Sequence, residues 1–267
     1  MAHHPTLYRT SISTFSSIHK HTMRNISAVT FDLWDTLIQE HPGGAQRVAK
    51  SRIDKIIQIL SQTGIVHTEK EVQDAYDKSG IFLELTWSKR RDLTVKDQVL
   101  FLMNCIDGKL VGKLKGQALD EIERIYSEGI LDNPPMLLPG AKEALRSVNE
   151  KGYRMGLISN TGRTPGSVLR LVMQDMGILH HFDVTTFSNE LLVRKPAETI
   201  FRRTLDGLKV PPKAAVHIGD NPDQDIEGAK KVGMHAIQFV ADGKRVSKAA
   251  DDHVRSLECI LEHIEKL

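Results

Sequence analysis

Residues 28–37 read Ala-Val-Thr-Phe-Asp-Leu-Trp-Asp-Thr-Leu. Ala28-Val29-Thr30-Phe31 is short and rich in β-branched and aromatic side chains, the composition of a strand buried on both faces. It ends on a carboxylate, so the strand delivers Asp32 at its C-terminal tip, with Thr36 four residues further on. His41-Pro42-Gly43-Gly44 then breaks the chain.

Outward from this stretch the chain divides in two. Residues 45–130 read as helical throughout. Ile53, Ile56, Ile57 and Leu60 recur on one helical face until Gly64 stops it. Segments 69–87 and 94–106 follow, then a stripe of Ala118, Ile122, Ile125 and Tyr126, and Asn133-Pro134-Pro135 closes the region. Beyond Pro139-Gly140 the pattern alternates. Helices are expected at 141–150, 165–176, 197–208 and 224–232, and from about 254 to the end. Strands are expected at 154–158, 182–187, 214–218 and 235–240. This alternation predicts an α/β fold, a parallel sheet with right-handed crossovers whose ligands bind beyond the strands' C-terminal ends. The expected domains are a core of 25–40 plus 134–267, a helical insertion of 41–133, and a flexible leader of 1–24.

Composition narrows the function classes. At ~150 residues per domain, 267 residues allow one to two domains. Lys plus Arg is 36 and Asp plus Glu is 34, which leaves no footprint for nucleic acid or an anionic membrane surface. No uncharged apolar run approaches the ~18 residues of a membrane span. Cys105 and Cys259 stand far apart without a CxxC, which excludes a disulfide scaffold and a cysteine zinc site and fits the cytoplasm. The first 31 residues carry Arg9, Lys20 and Arg24 but no acid. They read as a leader with Met23 as an alternative start; the other reading is a transit peptide, placing the protein in a mitochondrion or other organelle.

Four stations fall on strand ends or just after them: FDLWDTL at 31–37, LISNTG at 157–162, RKP at 194–196, and HIGDNPDQDIEGA at 217–229. Carboxylates converging from separate strand ends suit a hard cation such as Mg²⁺. One of them can attack phosphorus and become an aspartyl phosphate. Thr36 and Ser159 can donate to phosphoryl oxygens, and Lys195 can hold nucleophile and phosphoryl group against their mutual repulsion. Singly, each residue has a plainer reading, since Asp after a strand is commonly a turn or N-cap and a lone Lys a solvated charge. Asp223 reads as such a cap, Trp87 as helix core, His217 as a hydrogen-bonded core histidine and Cys105 as inert. Together and in this order, the four stations favour a site.

In these motifs the chain resembles the haloacid dehalogenase-like hydrolase superfamily over about 25–250. FDLWDTL resembles the nucleophile motif, Ser159 the second motif, Lys195-Pro196 the third and GDNPDQD the acidic fourth. The resemblance implies a Rossmann-like core with a mobile C1-type cap over 41–133. It implies Asp32 as nucleophile, Lys195 as its partner, and Thr36, Ser159 and Asn160 against the substrate. It further implies Mg²⁺ held by Asp32, the Trp34 carbonyl and Asp220, with Asp225 in support. The expected substrate is a small phosphorylated molecule, and the expected state a monomer or homodimer.

One departure stands out. Phosphatases of the family usually carry a second Asp two residues after the nucleophile, as general acid and base, and here that position is Trp34. An indole cannot shuttle that proton. Asp35 is the neighbouring acid, read as a loop hydrogen-bonder. An aromatic residue at this position also occurs in 2-haloacid dehalogenases, but those lose the acidic fourth motif that persists here. The leading expectation is therefore a Mg²⁺-dependent phosphatase with weakened leaving-group protonation. The alternatives are a 2-haloacid dehalogenase and a weakly catalytic member that binds a phosphometabolite or a protein.

Overall fold

The computed structural model describes residues 1, 25–114, 116–241, 243 and 245–267. The proposed leader therefore lies, apart from Met1, outside the described residues. In chain order the elements are β1 (Ala28–Phe31), β2 (Ile38–Gln39), α1 (Gly44–Gln62), α2 (Glu69–Trp87), α3 (Val95–Ile106), α4 (Leu110–Lys113), α5 (Gly116–Glu128) and β3 (Met136–Leu137). There follow α6 (Ala141–Glu150), β4 (Arg154–Ser159), α7 (Gly166–Asp175), β5 (Val184–Phe187), α8 (Ser188–Leu191), α9 (Glu198–Leu208) and β6 (Ala215–Gly219). The chain ends with α10 (Glu227–Val232), β7 (His235–Phe239), β8 (Asp252–Val254) and α11 (Ile260–Ile264).

Six strands form one sheet in the order β5-β4-β1-β6-β7-β8, every neighbouring pair parallel. The α/β reading holds. β1 lies at the centre, with Phe31 level with Leu157 of β4 and Ile218 of β6, so Asp32, Ser159 and the Gly219-Asp220 pair emerge along one edge. Its four residues are all buried, as a parallel strand covered on both faces requires. One apolar cluster joins the sheet to α6, α7 and α11, and a second packs α9 and α10 on the sheet through Ile200, Phe201, Ile226 and Ala229.

The helices between β2 and β3 carry a third apolar cluster, built on Ile53, Ile56, Leu102, Met103, Ile122 and Tyr126. Two N-termini are capped by the side chains of Thr68 and Thr94, with a full capping box between Thr68 and Glu71. The chain enters and leaves the insertion through β2 and β3, which pair antiparallel. A third tie lies elsewhere. The 88–94 loop meets the loop before Lys195: Arg91 bridges Val193, Asp92 N–H donates to Leu192 at 3.0 Å, and Arg194 N–H donates to Arg90 at 3.1 Å.

Two details differ from expectation. The segment placed in a C-terminal helix from about 254 first supplies β8, and the helix proper begins at Ile260. Asp223 is not the cap of the segment after β6; Asn221 is, its side chain accepting from Asp223 and Gln224, while Asp223 pairs with Arg245 at the surface.

Candidate active site

The site stands where β1, β4 and β6 end together. Asp32, Asp220 and Asp225 are all buried, and carboxylate oxygens of the three lie within 4.8 Å of one another. Asp225 comes from the turn after β6 (222–226), which curls back under the strand end. Gly219 makes this approach feasible, since a Cβ there would stand 2.4 Å from Asp225 Cγ.

Lys195 enters from the opposite side. Its ammonium donates to Asp32 Oδ1 at 2.5 Å, to the Ile158 carbonyl at 2.7 Å, and to Asp225 Oδ1 at 2.7 Å. An ammonium has three protons, and all three are placed. Asp225 takes two further bonds, the Asn221 N–H at 2.9 Å and His217 Nε2 at 3.3 Å. An ionised carboxylate only accepts, so His217 carries its proton on Nε2, and Nδ1 takes the Thr30 hydroxyl at 2.9 Å.

These contacts set the charges. Burial pushes the Asp32 carboxyl up, Lys195 pulls it back, and Asp225 and Asp220 push it up again, leaving it at about 7. Burial alone would raise Asp225 too, but Lys195 and His217 overturn this and hold it well below the usual carboxylate range. Burial works against the Lys195 ammonium, yet Asp225 and Asp32 outweigh it and raise its pKa. His217 is held low by burial, so it stays neutral.

Asn160 ties two loops together. It accepts from Lys195 N–H at 2.8 Å and donates to Gln224 Oε1 at 2.8 Å, so it fixes the Lys195 loop beside the turn carrying Asp225. Thr36 is fully buried with its hydroxyl 3.5 Å from Asp32 Oδ2. Ser159 is also fully buried, its hydroxyl making a 3.4 Å contact to the Asn160 carbonyl that an incoming acceptor can displace. Trp34 is half-buried on the wall of a 300 Å³ pocket that also exposes Asp32, Asp35, Asn160, Lys195 and Asp220. Asp35 has a φ of 55°, so the chain turns out of the strand direction there and brings Asp35 to the same wall.

The family model of haloacid dehalogenase-like hydrolases matches residues 26–233. The chain belongs to this family. It is 27% identical over 231 residues to haloacid dehalogenase-like hydrolase domain-containing protein 3 of Bos taurus, covering 85% of this chain and 86% of that one. Over 104 residues it is 34% identical to glyceraldehyde 3-phosphate phosphatase of Pyrococcus furiosus, covering 38% of this chain and 41% of that one. Among solved structures, a 2-haloacid dehalogenase from Pseudomonas syringae superposes with a TM-score of 0.68 at 22% identity, covering 90% of this chain and 99% of the other, a likeness of fold.

Around the acidic centre this hydrolase carries residues that its motifs did not announce. Trp87, read as core, instead lines the same pocket as Asp32 and Lys195: its indole N–H donates to Asp92 Oδ1 at 3.1 Å, and the Arg194 guanidinium lies 4.5 Å from its ring centroid. Asp92 is the hub of this second network. It accepts from Ser188, from Thr161 Oγ1 at 3.1 Å and from Arg194 Nη1 at 2.9 Å. The sequence signal that could have marked it is an acid in the basic run Lys89-Arg90-Arg91 between two helices. Arg194, directly before Lys195, was quoted in its motif without a role.

Proposed function

We propose that the protein is a Mg²⁺-dependent phosphatase that hydrolyses a small phosphorylated molecule through an aspartyl phosphate on Asp32. The observation that carries this reading is the ring of Asp32, Asp220 and Asp225 closed by Lys195. Lys195 pairs with two of the three converging carboxylates, and burial, with the neighbouring Asp225 and Asp220 charges adding to it, raises the Asp32 carboxyl. An all-oxygen, acidic donor set fits a hard dication. Asp32 and Asp220, with the backbone carbonyl of Trp34, would hold it; Asp225, already bonded on both oxygens, would support it indirectly. Bound there, Mg²⁺ would neutralise phosphoryl oxygens and let a carboxylate approach them.

The chain's own groups then divide the work. Lys195 holds Asp32 Oδ1, which leaves Oδ2 to attack phosphorus. Thr36 and Ser159 supply hydroxyl donors for the phosphoryl oxygens. The bond from phosphorus to the leaving oxygen breaks, and that oxygen departs with the electron pair. Water next attacks the aspartyl phosphate, releasing inorganic phosphate and restoring the carboxylate. Asn160 keeps Lys195 in register, and the helical insertion 41–133 serves as the cap over the pocket. The phosphatase names of relatives such as those of Pyrococcus furiosus and Thermus thermophilus, matched over part of the chain, support phosphoryl chemistry. The two cysteines are free and, among the described residues, no helix is long and apolar enough to cross a membrane; we place the protein in the cytoplasm.

Trp34 in the usual acid's position sharpens the test. General-acid assistance is worth ~10²–10⁴-fold, and its lack weighs most on poor leaving groups. Turnover of p-nitrophenyl phosphate is expected to exceed that of alkyl phosphates far more than leaving-group acidity gives with an acid present, to vanish in EDTA and to return with Mg²⁺. Trp34→Asp is expected to raise alkyl phosphate turnover selectively. Metal-independent halide release from a 2-haloacid, without phosphatase activity, would instead establish the dehalogenase. Tight phosphometabolite binding without turnover would establish a binding protein.

A further inference from the structure

Beside the catalytic pocket lies a larger cleft of 570 Å³ between the insertion and the core, and Trp34 and Gly162 line both. Two arginines meet in it from different parts of the fold. Arg52 comes from α1 and is 5% exposed; Arg163 comes from the loop after β4. Arg52 Nη1 donates to the Tyr76 hydroxyl at 3.3 Å and Nη2 to Thr164 Oγ1 at 2.9 Å, while its Nε is buried with no partner. Arg163 donates to Ser79 Oγ at 3.0 Å, to the Tyr126 hydroxyl at 2.7 Å and to the Tyr76 carbonyl at 2.9 Å. Both guanidinium groups lie over the Tyr126 ring, at 5.4 and 5.6 Å from its centroid, and Arg163 lies 3.8 Å over Tyr76.

Every one of these partners is neutral. Among the described residues neither arginine forms an ion pair, although Glu40 and Asp77 stand exposed on the same cleft. Lys50, also on its wall, is already paired with Asp54 and Glu69. Arg52 is a buried cation without a counter-ion, which is costly, and the partly buried Arg163 that shares its ring adds a like charge beside it. Tyrosine faces and neutral acceptors offset only part of this. The fold even makes room for the charge: a Cβ at Gly129 would lie 2.7 Å from Arg52 Cγ, so the backbone there stays bare to admit the Arg52 stem. A costly arrangement kept beside an active site marks a place where a ligand supplies the missing charge.

We infer that Arg52 and Arg163 form a second anion-binding subsite, which takes a carboxylate or second phosphate carried by the substrate's leaving group. The planar guanidinium fork matches either group. The inference rests on the phosphatase reading for the placement of the other end of the substrate at Asp32, and it names the substrate class: phosphomonoesters with a second anionic group.

Binding separates the two claims. The Asp32→Asn protein with Mg²⁺ is titrated calorimetrically with two matched pairs: 3-phosphoglycerate against glycerol 3-phosphate, and fructose 1,6-bisphosphate against fructose 6-phosphate. In at least one pair the doubly anionic member is expected to bind roughly 10- to 100-fold tighter, the range of a charged hydrogen-bonded contact. The favoured pair tells carboxylate from phosphate. Arg52→Gln or Arg163→Gln added to this protein is expected to bring the ratio to within about threefold, and Arg52→Lys to keep part of it. Thermal melting checks that each variant is folded, and Arg163, on a core loop, gives a second reading if Arg52→Gln is not. Ratios near one in both pairs, or a preference that survives both glutamine substitutions, overturn the subsite. Turnover of p-nitrophenyl phosphate by the unmodified protein is read separately, and its absence counts against the phosphatase reading alone.

Discussion

Two clusters of charge flank Trp34 and Gly162, and they are neutralised to different degrees. At the strand tips, Lys195 pairs with two of three converging carboxylates. In the cleft, two guanidinium groups have only neutral partners. Yet the clusters differ in how they are held. Lys195 and Asp225 are saturated by each other and by their neighbours, so removing either leaves some of its partners unmatched, whereas Arg52 keeps an unused donor. The first cluster is therefore bound into the fold by its charges, and the second is held in spite of them. The contrast also gives the pocket a direction. Under the proposed function, the phosphoryl end goes to the carboxylate side and an anionic tail to the arginine side.

The contrast can be broken in several ways, the largest first. Asp32→Asn removes the attacking oxygen's charge and is expected to bring kcat on p-nitrophenyl phosphate below about a thousandth of its value, with circular dichroism unchanged. Asp225→Asn sets an amide donor among the Lys195, His217 and Asn221 donors that the carboxylate accepts from, while Lys195 keeps Asp32, and is expected to cost about 1–3 kcal/mol in urea unfolding. The third test is a pH series on the metal-free protein. The Asp32 pKa rises from 3.8 to about 7 in the folded state, so the fold binds this proton more tightly than the unfolded chain, and the associated stability is lost as pH climbs between those values. Asn carries no such cost. The melting temperature of Asp32→Asn is expected to exceed the wild type's by a margin that grows from pH 4 to 7, flattens above, and shrinks when Mg²⁺ is added to the wild type. A constant margin would mean that the carboxylates are already balanced. Arg52→Met is the smallest effect: because it removes an unpaired charge and keeps the volume, stability is expected to stay within about 1 kcal/mol or to rise. A loss comparable to that of Asp225→Asn would mean that Arg52 is structural and the two clusters are alike.

What could be read in the sequence follows from where the information lies. β1, β4 and β6 are mostly apolar runs with Asp32, Ser159 and Asp220 at or just past their ends, and a strand buried on both faces leaves that trace. β8 leaves none, because only Val254 of its three residues is buried and the other two are polar. β2 and β3 are two residues each, too short for any period. Asp32, Asp220 and Asp225 stand out in the sequence because each lies in a compact motif beside a strand end, and Lys195 because it forms a Lys-Pro pair in the loop before α9. Trp87 was misread because its helical spacing from Leu83 suggests core, while its place as the last residue of α2 turns it onto Asp92. Arg52 and Arg163 gave no signal, since a lone arginine in a helix or loop looks like solvated surface until the fold buries it.

The Asp92 tie has a further consequence. Were the insertion attached only through β2 and β3, it could swing on that paired hinge like a door. The bonds from Asp92 to Arg194, Thr161 and Ser188 work as a bolt on the free side. The bolt is shot into the very loop that carries Lys195, one residue away. A movement of the insertion away from the core would have to break these bonds, and Arg194 stands directly before Lys195, so the position of the insertion and that of the Lys195 loop are joined through one carboxylate.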